Sequence, residues 1–345
     1  RVALEVIENS PDFYNDTLKN FAAPWTNRDR SVFVDLNDYI ATVVGMVEND
    51  EDFRSILYAD VIYVANPAIN GIAPYNNSNN THYEDFEAQG RSLMTDLVRR
   101  NQSQVTGLPA NAAAGVMTTR AAAKAFFIAG TNRANFRFTL VNHLCRDMED
   151  MQDVTRAADR IRQDVSRSPG GDSRIFLNNC IGCHTGMDPM AQAFAYYNYN
   201  YDPNSDPDGN NGAIDYNGVG DVDPVTLSRV QAKYHNNATN FESGFITPDD
   251  RWDNYWRAGP HSVSMGWDSG LTGSGTGAAS MGMELAHSQA FARCQVEKVF
   301  ENVCLRPPVD SADRGEISNM MTTFADSNYN LKQVFADAAV YCRGD

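Results

Sequence analysis

No apolar run in this 345-residue chain approaches the roughly eighteen residues that cross a bilayer, so no membrane-spanning helix is expected. There is no basic, apolar leader at the start, and an opening on Arg1 is compatible with a leader removed earlier. No segment repeats itself and no heptad is sustained, which argues against repeat arrays and coiled coils. Positive charge is scarce: 28 Lys and Arg against 44 Asp and Glu give a formal net charge of −16. Such a field repels phosphate backbones, so nucleic acid is not an expected partner. It favours basic partners or cations and helps keep the protein in solution. Histidine and cysteine number only six each, so any that cluster carry information.

What is present is enough for a folded core, with 42% hydrophobic and 10% aromatic residues. Residues 32–47 place Leu36, Tyr39, Ile40, Val43, Val44 and Val47 on one face, the spacing of an amphipathic helix. A short helix with a turn is expected over 52–66, surface loop over 74–83, and helix over 113–129, 137–150 and 152–165. The Ser168-Pro169-Gly170-Gly171 break precedes Asp172 or Ser173, either of which can cap the next helix. Residues 202–223 are rich in Asp, Asn and Gly, and Ala213–Gly218 resembles a strand and tight turn. A Gly/Ser-rich loop over 268–277 leads into three closing helices at about 280–303, 312–326 and 331–342. Val2–Val6 reads as an exposed strand.

Two of the cysteines lie in Cys180-Ile181-Gly182-Cys183-His184. Two thiols one helical turn apart can form thioethers to the vinyl groups of a haem, and the following imidazole can ligate its iron. A zinc site would need a second close pair of ligands, and a thioredoxin-type site would follow a strand; neither is present. The expectation is one covalent haem c held by Cys180, Cys183 and His184, with Pro189 or a nearby backbone carbonyl accepting from the His184 ring. The other four cysteines, Cys145, Cys294, Cys304 and Cys342, are an even set suited to two disulfides in an oxidising compartment. Ten residues of helix would separate Cys294 and Cys304 by about 15 Å, whereas a disulfide needs Cα atoms within about 7 Å. Cys342 should therefore pair with one of these two and Cys145 with the other.

For the opposite axial ligand the favoured candidate is Met265, in the Pro- and Gly-framed loop Gly259–Trp267; Met281, Met283, His261 and His143 are alternatives. Met187 is too near His184 along the chain to cross a haem plane. Asn204, Asp206, Asp208 and Asp215 sit at alternating positions around Gly209 in a twelve-position pattern that could hold calcium, or could form a solvated acidic turn. Tyr196, Tyr197, Tyr199 and Tyr201 follow the motif and suit packing better than a binding surface.

Beyond the motif, Cys183-His184-Thr185-Gly186-Met187-Asp188-Pro189 resembles the C-H-x-x-M-D-P signature of the planctomycete-type exported monohaem cytochrome family. Weaker similarity extends over residues 53–66, 114–119, 212–218 and 291–341. The elements read along the chain, with the haem motif, give a mainly α fold: a cytochrome c-like helical haem core elaborated by extra helices, long irregular loops and a small β-hairpin. The resemblance implies an exported protein. It also implies electron transfer with redox protein partners in the periplasm or at the cell surface. The extra cysteines and the long Asp/Asn loop depart from the family. A helical region over 1–150 and a haem-binding region over 151–345 are expected to pack as one unit. Two other functions fit the residues. One is a peroxidase-type haem enzyme, with His261 or Glu284 as acid or base at an open distal face. The other is a structural subunit of a surface or filamentous assembly, formed by copies of this chain.

Overall fold

Helices dominate the structure, a computed structural model that describes residues 2–128 and 132–344. The longer ones begin where a polar side chain satisfies free first-turn N–H groups. Asn37 accepts from Tyr39 and Ile40 N–H and starts Asp38–Glu48, of which every residue from 38 to 47 is buried. Ser288, Asp310 and Asn330 cap Gln289–Cys304, Ser311–Asp326 and Leu331–Tyr341 in the same way. These last three helices pack on one another, and Val2–Glu8 lies along the final one. Val2–Val6 is thus helix rather than strand, and it docks on a helix.

Among the described residues the strands are short and form three antiparallel pairs. β1 (Ile62–Ala65) pairs with β2 (Leu97–Arg100), β3 (Tyr197–Asn200) with β4 (Ala213–Tyr216), and β5 (Arg251–Asp253) with β6 (Ser274–Thr276). The small hairpin expected near 213–218 is the β3–β4 pair, with Tyr197 opposite Tyr216. One large apolar cluster runs from Phe13 to Ala338 and draws on residues both before and after 150.

Several expected helices are broken. Residues 52–66 form a 3-10 turn, Phe53–Leu57, followed by β1. Over 113–129 a 3-10 turn at Gly115–Thr118 precedes a helix at Arg120–Phe126 capped by Thr119; Ala129 lies outside the described residues. The expected loop at 74–83 ends in a helix, Thr81–Ala88, and the first closing helix divides at Ser288. Residues 152–165 are turns and not helix. Asp153 N–H bonds Gly182 C=O and Gln163 N–H bonds Phe245 C=O, so distant partners take the backbone groups a helix would have used.

Candidate functional site

The motif sits on a helix assembled in three parts. Asp172 accepts from Arg174 N–H and starts Ser173–Ile175; a π turn, Phe176–Cys180, follows, and an α-helix, Ile181–Ala191, completes it. A π turn is a local widening that recurs where a helix must present side chains for function. Cys180, Cys183 and His184, spaced i, i+3 and i+4, share one face, and all three are partly exposed.

The opposite side of this helix is clamped to the protein. A β-carbon at Gly186 would lie 2.1 Å from Cε2 of Trp256, so the indole rests directly on the helix backbone. The Thr185 hydroxyl donates to Asp153 C=O at 2.8 Å, and Cys183 Sγ lies 3.3 Å from Met148 C=O. The strip 148–153 therefore runs along one flank of the motif. Cys183 packs against the main core and Cys180 against a small cluster of Ile161, Val165 and Phe176.

Cys180 and Cys183 are free, whereas Cys145–Cys294 and Cys304–Cys342 are disulfides with Cα atoms 5.2 and 5.4 Å apart. That pairing obeys the constraint read from the helical spacing of Cys294 and Cys304. Burial, followed by the nearby Cys180, Glu149 and Asp147, pushes the Cys183 thiol above its ordinary value.

His184 is oriented by a carboxylate and not by Pro189 or a backbone carbonyl as expected. Its Nδ1 lies 3.0 Å from Asp188 Oδ1, one helical turn on. Asp188 is fully enclosed and in turn receives Arg133, whose Nε meets Oδ1 at 2.6 Å and whose Nη2 meets Oδ2 at 2.9 Å. Arg162 N–H adds a bond of 3.2 Å to Oδ2. Burial alone would raise the Asp188 carboxyl, but Arg133 and His184 outweigh it and hold the group well below the usual carboxylate range. An ionised carboxylate can only accept, so the proton of the pair resides on His184 Nδ1, which leaves the Nε2 lone pair for a metal. Arg133 also grips Asp164 through Nη1 and Nη2 at 2.8 and 2.9 Å. It opens the helix Arg133–Thr139, whose start is fixed by Asn132 donating to Phe194 and Tyr197 C=O.

The candidate opposite ligands lie in different surroundings. Met265 ends a short helix, His261–Met265, and is buried in the main core; Met281 is buried there too, and Met283 is exposed. His261 Nε2 lies 3.0 Å from Gln152 C=O, on the strip that flanks the motif helix. His143 is enclosed by Trp25, Tyr39 and Phe291, with Nε2 bonded to Tyr39 Oη at 2.7 Å. Glu284 is equally committed, held by Arg257 Nε and Nη2 at 2.7 Å and by Asn254 Nδ2 at 2.8 Å.

The calcium-pattern aspartates each have protein partners. Asp206 accepts from Asn211 N–H and, with Asp208, faces Lys124; Asp215 lies in β4 beside Gln231 and Lys233. Among the described residues no three His, Cys, Asp or Glu converge as a metal site. The tyrosines pack: Tyr196, Tyr197 and Tyr199 are buried, and the hydroxyls of Tyr197 and Tyr199 donate to Ala112 and Gly209 C=O.

The residues present fit a covalently attached haem. Two free thiols and an imidazole share one accessible helix face, and the imidazole is oriented through its far nitrogen, as metal-bound histidines usually are. Reading the sequence alone placed Asp188 in a signature without a role, and missed Arg133 and Asp164. The i, i+4 spacing of His184 and Asp188 was a usable signal; Arg133, 55 residues before Asp188, gave none. No family model, curated protein or solved structure matches the chain.

Proposed function

We propose that this chain is an exported c-type cytochrome that carries one haem and exchanges single electrons with protein partners. Cys180 and Cys183 would attach the macrocycle, His184 would ligate its iron through Nε2, and Met265 is the favoured opposite ligand. The observation that carries the reading is the selective freedom of Cys180 and Cys183. Four cysteines are consumed in disulfides, and the two left free lie beside a histidine whose Nδ1 is tied to Asp188. Two disulfides agree with an oxidising compartment, and no helix among the described residues is long and apolar enough to cross a membrane.

Expression with a c-type maturation system tests this directly. The purified chain should carry one haem that survives denaturation and acid–acetone extraction, and Cys180→Ser with Cys183→Ser should lose it. A protein that matures with both thiols free would refute the proposal. The optical spectrum then separates the carrier from the enzyme. A six-coordinate, low-spin haem in both redox states supports a carrier, and a high-spin ferric haem supports peroxidase-type chemistry. Met265→Ala should abolish any methionine-ligand signature.

A further inference from the structure

We infer that Asp188 sets the reduction potential of the haem, lowering it through His184, and that Arg133 limits how far. Asp188 acts as a positioning and charge-donating residue and does not itself ligate the iron. The inference rests on the haem reading above.

The Asp188 carboxylate has no exposed side-chain surface and lies 3.0 Å from His184 Nδ1, so water neither competes for the bond nor screens its charge. An anionic acceptor at the far nitrogen makes an imidazole a stronger donor than a neutral carbonyl would. The stronger donor, and the negative charge behind it, favour the more positive oxidation state of a bound iron. The expected partner, a backbone carbonyl near Pro189, would have left the imidazole weakly polarised; the structure replaces it with a full charge.

Arg133 works against this. It contacts both Asp188 oxygens, sharing Oδ1 with His184, so part of the carboxylate's charge is spent on the guanidinium. Arg133 is itself divided, because its two Nη groups also bind Asp164. The chain His184–Asp188–Arg133–Asp164 is therefore a graded device in which neighbouring members pull the imidazole in opposite directions. The couple is a single electron taken from, or given to, an external one-electron protein partner. No bond forms or breaks, and the Nδ1 proton stays on His184.

The opposite signs provide the test. Haem-loaded wild-type protein, Asp188→Asn and Arg133→Lys are titrated with dithionite and ferricyanide while the visible spectrum is followed. Asp188→Asn should raise the potential enough to change the reduced-to-oxidised ratio at least tenfold, about 59 mV for one electron. Arg133→Lys, which keeps the positive charge beside Asp188 but loses the two-pronged grip, should lower it. Should Asp188→Asn fail to accumulate, the Arg133→Lys shift reads the same coupling. An Asp188→Asn protein that retains haem with an unchanged potential overturns this inference alone. An upward shift in Arg133→Lys would do the same. A wild-type chain that carries no covalent haem overturns the inference together with the proposed function.

Discussion

Gly186→Ala isolates the contact that seats the motif helix. In a helix interior the exchange ordinarily gains up to about 1 kcal/mol, because alanine surrenders less backbone freedom on folding. Here the added carbon would stand 2.1 Å from Trp256 Cε2 and 2.4 Å from both Cζ2 and Nε1. Carbon contacts settle near 3.5–4.0 Å, so helix and indole must part by about 1.5 Å. Trp256 has little freedom to yield. It is fully buried, stacks on Phe136 at 6.0 Å, donates its backbone N–H to Asn254, and accepts from Trp267 Nε1 at its carbonyl. Overpacking of this kind costs about 1–3 kcal/mol, and the severity of this overlap puts it toward the upper end, so after the helical gain a net loss of up to about 2 kcal/mol is expected. Gly182→Ala, one turn earlier, is the control. Its nearest neighbour would be Gln152 Cβ at 3.2 Å, a gap that a few tenths of an ångström relieve, so it should be neutral or up to about 1 kcal/mol stabilising. Urea unfolding followed by circular dichroism reads both as midpoint shifts at constant slope. A Gly186→Ala midpoint at or above wild type, or equal losses at the two glycines, would refute the packing argument.

Two further outcomes follow from groups outside the motif. Closing 149 residues by Cys145–Cys294 and 38 by Cys304–Cys342 should, in the chain-entropy model, contribute about 5 and about 4 kcal/mol. Peptide mapping without reduction should recover these two links, and the paired serine variants should lose stability in that order; a 145–304 or 294–342 link would contradict the fold. The His143 imidazole is held far below its ordinary value, first by burial and then by Lys298. The unfolded chain therefore binds a proton below about pH 6.5 that the folded chain refuses, so stability falls as pH drops, by about 1.4 kcal/mol at pH 5.5. His143→Gln should flatten that part of the stability–pH curve; parallel curves for the two proteins would show that His143 is not responsible.

Spacing along a helix was the part of the molecule most open to inspection. Asp172 as a cap, the grouping of Cys180, Cys183 and His184, the continuous helix that separates Cys294 from Cys304, and the last two helices all depend on neighbours within a turn or two. Local chemistry misled where a distant partner offered a better bond. Residues 152–165 have helical composition, yet Gly182 and Phe245 take their backbone groups, and Val2–Val6 has strand composition but docks on a helix.

The sequence by itself determined that two thiols and an imidazole would share a helix face, because the helical repeat allows nothing else for C-x-x-C-H. It also determined that four further cysteines could pair only across helices, since ten residues of helix hold Cys294 and Cys304 apart. Tertiary structure alone decided what stands behind the imidazole. Asp188 was visible one turn away, but its ionisation and aim depend on Arg133, brought in from another segment and itself held by Asp164. A buried charge is defined by the partners that surround it, and those partners are set by the packing of the whole chain.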